Sequence, residues 1–153
     1  FLQMALTEMH SADLDDKAAE LLREAWESGE PFNPWAAVYW LDTPAGEEAS
    51  PADRMAALAA AVREYPAFTP AHDRRAEQLA LLGRFDEAAA ACTPDGLSPV
   101  PVALRGRAAW VEARRGDRAR GIAMMKAVLA EEPDYGWGWR QLVHWYEATG
   151  RLR

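Results

Sequence analysis

The side chains in this chain that suit catalysis are few and scattered, whereas those that suit recognition are plentiful. Cys92 is the one thiol. It closes an alanine run, a setting that fits a small core residue rather than the electropositive, partly exposed surroundings a thiolate nucleophile needs. His10, His72 and His144 lie far apart in the chain, so no metal-ligand spacing emerges. Glu47/Glu48 and Glu131/Glu132 are sequence neighbours whose side chains diverge, which suits no general acid–base pair. Serine is scarce, and neither a glycine-rich phosphate loop nor a nucleophile elbow is present. No catalytic residue, cofactor or metal is expected, and the chain is expected not to be an enzyme unless it is part of a larger one.

Arginine and tryptophan carry the recognition chemistry. The final stretch, WGWRQLVHWYEATGRLR, holds Trp137, Trp139 and Trp145. At helical spacing, Trp137, Arg140, His144 and Glu147 share one face, and Trp139, Leu142 and Tyr146 share another. The second set is expected to be core, each large side chain favouring folding by roughly 1.5–3 kcal/mol before entropy. Trp145 falls at a flank. Arginines at 105, 107, 114, 115, 118 and 120 form a local positive region. Its plainest reading is a set of solvated helix faces, with an anion site as the alternative.

Charge and composition narrow the partners. The net charge is −7. Residues 1–50 hold two basic and eleven acidic residues, and residues 51–153 hold fifteen and thirteen, so the two segments carry −9 and +2. That balance argues against nucleic acid. No apolar run is long enough to span a bilayer. A single cysteine cannot form an internal disulfide, which fits a reducing compartment and a cytoplasmic location. No signal peptide is evident, although a first residue Phe1 suggests that upstream residues have been removed. Abundant alanine, and arginine in preference to lysine, point to a GC-rich bacterial genome.

The elements that position these residues announce themselves by a period. Prolines recur at Pro31, Pro66, Pro99 and Pro133, and glycines at Gly46, Gly83, Gly116 and Gly150, both at intervals of about 34. The two markers interleave, so each unit holds two segments. Leu14, Ala18, Leu21, Leu22, Ala25 and Trp26 follow amphipathic helical spacing, as do Met55, Leu58, Ala59, Val62 and Tyr65, and Ile122, Met125, Val128 and Leu129. Asn33-Pro34, Ser50-Pro51 and Thr69-Pro70 each set a capping side chain before a proline at the first helical position. Gly83, Gly116 and Gly150 can end helices in the left-handed conformation. The pattern predicts helices near 2–10, 14–28, 34–42, 51–65, 70–82, 86–92, 102–115, 117–131 and 136–149, with loops between them and no strand. Pairs of one-sided helices cover their apolar faces by stacking.

These residues resemble the tetratricopeptide repeat. Trp139, Leu142, Tyr146 and Gly150 match positions 4, 7, 11 and 15 of its 34-residue pattern. Ala108, Gly116, Gly121, Met125 and Pro133 match 7, 15, 20, 24 and 32, and the unit from Thr69 supplies Ala76, Gly83, Phe85 and Ala88. The resemblance is strong over 69–153 and degenerate before it, where DTPAGEEAS reads as a longer loop. It implies an all-α antiparallel helix-hairpin solenoid, a right-handed superhelix of about nine helices. The chain would be one domain, with units of about 1–33, 34–68, 69–101, 102–135 and an incomplete 136–153. Pro94 cuts one helix short, and CTPDGLSPVP is a tolerated irregular loop or a hinge. A second, one-motif likeness is to prenyltransferase α subunits, through the Trp-x-x-Arg spacing of Trp137 and Arg140.

The resemblance also implies a concave groove lined by the first helix of each pair. Its positions fall on Asp73 and Glu77; on Trp110 and Arg114, with Arg107 beside them; and on Trp137, Arg140, His144 and Glu147. Trp110 is as readily an inter-pair filler, and Trp137 as readily a loop plug. The chaperone-tail specificity of the family uses groove asparagines, and the one asparagine here is Asn33. The expected function is an interaction or scaffold module that binds a peptide or partner protein, with no nucleic acid and no membrane. The alternative is a helical accessory or substrate-presenting domain of a larger enzyme. A last helix without its usual partner is expected to be covered by more chain, a cap or a second copy.

Overall fold

The structure is a computed structural model that describes residues 12–27 and 33–150. Among the described residues the chain is all-helical. The helices are α1 (Ala12–Glu27), α2 (Pro34–Leu41), α3 (Pro44–Glu48), α4 (Pro51–Glu64), α5 (Thr69–Leu81), α6 (Phe85–Ala91), α7 (Val102–Arg114), α8 (Arg118–Glu131) and α9 (Gly136–Ala148). The helix expected at 2–10 lies outside the described residues. The chain forms two compact units, Phe1–Arg75 and Ala76–Arg153, and the division falls inside α5.

Capping chemistry starts two helices where the sequence places it, at Asn33 and Ser50, whereas Thr69, expected as a cap, is itself the first residue of α5. The Asn33 side chain accepts the Trp35 N–H at 3.0 Å. The Ser50 hydroxyl accepts the Asp53 N–H at 3.1 Å and donates to the Asp53 carboxylate at 2.9 Å, a reciprocal cap. Asp117 accepts the Arg120 N–H at 3.0 Å and opens α8. Gly83, Gly116 and Gly150 end three helices at φ of 74°, 115° and 70°, a region that favours glycine.

In the first unit, α2 is buried almost all round, through Ala36, Ala37, Val38, Trp40 and Leu41. A helix apolar on every side belongs inside, and α1 and α4 cover it with Leu22, Ala57, Leu58 and Ala61. The stretch read as a loop, DTPAGEEAS, contains α3 instead. Buried Thr43 explains the extra turn. Its hydroxyl donates to the Trp40 carbonyl at 2.6 Å and accepts the Gly46 N–H at 3.1 Å, and Pro44 sits at the first helical position. Arg54 then ties the end of α3 to α4 by donating to the Gly46 and Glu47 carbonyls.

In the second unit, α7, α8 and α9 share a core of Ala109, Met125, Leu129, Leu142 and Trp145. Cys92 is buried, as its alanine-rich setting suggests. One expectation about α9 is corrected. Trp139 was expected in the core and is 49% exposed, its indole N–H donating to the Pro133 carbonyl at 2.8 Å. Trp145, placed at a flank, is 6% exposed. The inward face of α9 runs Gly138, Leu142, Trp145. Gly138 sets that rotation, because a Cβ there would meet Met125 Sδ at 3.0 Å and Leu129 Cδ2 at 3.1 Å. Leu142 is buried as expected, and Tyr146 is half-buried against the same core.

Candidate functional site

Within the second unit, α5, α7 and the start of α9 supply a layered group of side chains. Arg107, two turns from the end of α7, is 8% exposed. Its guanidinium lies 4.9 Å from the ring centroid of Trp110 and 4.9 Å from that of Trp137. One cation thus sits against two aromatic rings, a favourable arrangement worth more when desolvated. Arg107 Nη1 also lies 3.8 Å from the Glu77 carboxylate on α5. Trp110 carries a second guanidinium, that of Arg114, at 5.3 Å. Tyr135 abuts Trp137 with ring centroids 5.9 Å apart. The Tyr135 ring fills the space beside Gly106, where a Cβ would lie 2.5 Å from it. Trp110, Tyr135 and Trp137 each keep one side on the core and one toward solvent.

The structure therefore brings together Glu77, Arg107, Trp110, Arg114 and Trp137. Arg140, His144 and Glu147 are exposed on α9. Arg140 follows Trp137 by three positions, and its Nη1 would lie 3.6 Å from a Cβ at Gly136. Asp73 is half-buried on the part of α5 that belongs to the first unit. His72 is buried, and its Nε2–H donates to the Pro66 carbonyl at 2.7 Å. Among the described residues no group of three or more His, Cys, Asp or Glu is placed to hold a metal.

Four of the six arginines in the positive region of the sequence, Arg105, Arg107, Arg115 and Arg120, lie against carboxylates. Arg105 reaches Glu131 at 2.7 Å. Arg115 pairs with Asp86 and, at 3.5 Å, with buried Glu112, which also lies 3.9 Å from Arg120. These are mostly helix-surface ion pairs of small energetic weight.

A feature of the first unit escaped the sequence reading. Asp16, Glu20, Arg23, Glu48 and Asp53 line a cavity of about 450 Å³ together with Trp40. The Arg23 guanidinium lies 5.9 Å from the Trp40 centroid. A hydrogen bond from Arg23 to Glu27, then the charges of Glu27 and Asp53, hold its pKa above the ordinary arginine value. The signal in the sequence was the acidic excess of residues 1–50, which carries no spacing of its own.

No protein-family model matches the chain, and no curated protein matches it either. Among the described residues no helix is long and apolar enough to cross a membrane. A solved structure described as MamA AMB-1 is similar, with a TM-score of 0.54 at 16% identity, over 98% of this chain and 87% of that one. At that identity the likeness speaks for the fold alone, and it supports an all-α, tetratricopeptide-like helical-repeat fold for this chain.

Proposed function

We propose that this chain is a non-enzymatic interaction module that binds a peptide or partner protein on the face carrying Trp110, Arg114, Trp137 and Arg140. The observation that carries this reading is the stack Trp110–Arg107–Trp137, with Arg114 on its outer side. Tryptophan and arginine are the side chains most often found as interface anchors. Here both tryptophans are held by a buried cation and a packed core, so little conformational freedom is lost when a partner docks. His144 and Glu147 extend the same face along α9. Glu77 is the acidic end of the proposed surface.

A random-peptide display selection on the immobilised protein tests the reading. Arg114→Ala and Arg140→Ala should each weaken the selected peptides several-fold, whereas Arg63→Ala, an exposed substitution in the first unit, should leave them unchanged. Unchanged affinity in both of the first two variants would remove the face from the account.

A further inference from the structure

We propose that the outward face of α9 docks a second copy of this chain, the two α9 helices packing antiparallel across a twofold axis at Val143. This goes beyond the peptide-binding reading and does not depend on it.

The face is exposed and apolar along its middle. Trp139 is 49% exposed and Val143 47%. Tyr146 is half-buried, and Gly136, Arg140, Glu147 and Gly150 are exposed. Counted at about 100° per residue, Val143 heads the face. Trp139 and Tyr146 lie within about 60° of it on one side, and Arg140 and Glu147 within about 60° on the other. Arg140 and Glu147 therefore stand on the border between this face and the one proposed above for a peptide. Trp139 is already held in place, since its indole N–H donates to the Pro133 carbonyl at 2.8 Å. Little freedom of that ring is lost when another surface meets it.

The order of the residues picks out the occupant. They are arranged symmetrically about Val143. Gly136 and Gly150 lie seven positions to either side, Trp139 and Arg140 precede it by four and three, and Tyr146 and Glu147 follow by three and four. In a twofold contact the same patch meets itself. An antiparallel copy then sets Arg140 beside the second copy's Glu147 on one rim and Trp139 beside the second copy's Tyr146 on the other. Val143 meets Val143 at the centre. Gly136 comes opposite Gly150, where no side chain holds the backbones apart. Each rim contact occurs twice. Among the described residues neither Arg140 nor Glu147 forms an ion pair within the chain. A partner presenting a single sign of charge would meet a like charge at one of the two positions, whereas the chain's own copy presents both signs in the required order. The helix has 13 residues, so the paired stripe is about 20 Å long. Such a contact is smaller than a standard interface and gives a weak dimer.

The experiment is sedimentation equilibrium of the full chain over a hundredfold range of concentration. Wild type should show a monomer–dimer equilibrium with a dissociation constant on the order of 100 μM and no larger species, because a twofold contact closes at two. Val143→Glu should remove the dimer. Arg140→Glu and Glu147→Arg should each weaken it by about fivefold or more, by setting like charges side by side. The double reversal Arg140→Glu with Glu147→Arg should restore it to within about twofold of wild type. All of these side chains are exposed, so far-UV circular dichroism and urea midpoints should match wild type. The charge variants keep the apolar stripe intact and carry the test on their own if Val143→Glu lowers the midpoint. A monomer at every concentration, a dimer that survives Val143→Glu, growth beyond two copies, or a double reversal no tighter than the single ones would each overturn the inference. Peptide binding by the Val143→Glu variant reads the earlier proposal separately, since Val143 lies outside that face.

Discussion

Arg107 and Arg114 lie on one helix, two turns apart, and touch the same tryptophan, yet their surroundings assign them different work. Arg107 is enclosed by Trp110, Trp137 and Glu77, whereas Arg114 faces water. Arg107→Met should therefore cost about 1–3 kcal/mol in urea unfolding, through two lost ring contacts and a carboxylate left without its cation. Arg114→Met should change stability by less than about 0.5 kcal/mol. Thr43 offers a second test at this scale. Thr43→Val keeps the shape but strands the Gly46 N–H, and a loss of about 1–3 kcal/mol is expected in thermal or urea melts, with Thr43→Ser recovering most of it. The repeat resemblance implied that Arg107, Trp110 and Trp137 line one groove. It could not show which cation is enclosed, because enclosure depends on how α9 approaches α7.

Among the elements, α9 is where sequence and structure part most clearly. Its helical span was legible from the spacing of Trp139, Leu142, Tyr146 and Gly150. Its rotation was not, since a single residue step turns a side chain by 100° and the family pattern set Trp139 inward. The close approach at Gly138 decides the matter. Leu142→Ala should then cost about 2–4 kcal/mol, and Trp139→Ala about 1 kcal/mol or less, both read from urea midpoints. The reverse order would restore the rotation the pattern implied. The α3 turn was hidden for another reason: five residues are too few to show a period, and its cap, Thr43, sits inside a stretch rich in loop-forming residues. The starts at Asn33 and Ser50 and the stops at Gly83, Gly116 and Gly150 depend on chemistry within a few residues, which is why the sequence alone revealed them.

For the whole molecule, the interval near 34 between prolines and between glycines was enough to read an all-α helical repeat, and the likeness to MamA AMB-1 supports that fold.

The most direct measurement is an indole N–H spectrum of the nitrogen-15-labelled full chain, whose seven tryptophans report from distinct places. On titration with the tightest peptide from the display selection, the indole signals of Trp110 and Trp137 should move together while those of Trp40 and Trp145 stay fixed. Movement confined to Trp40, beside the acidic cavity of the first unit, or a Trp110 and Trp137 pair that stays still at saturation, would contradict the account.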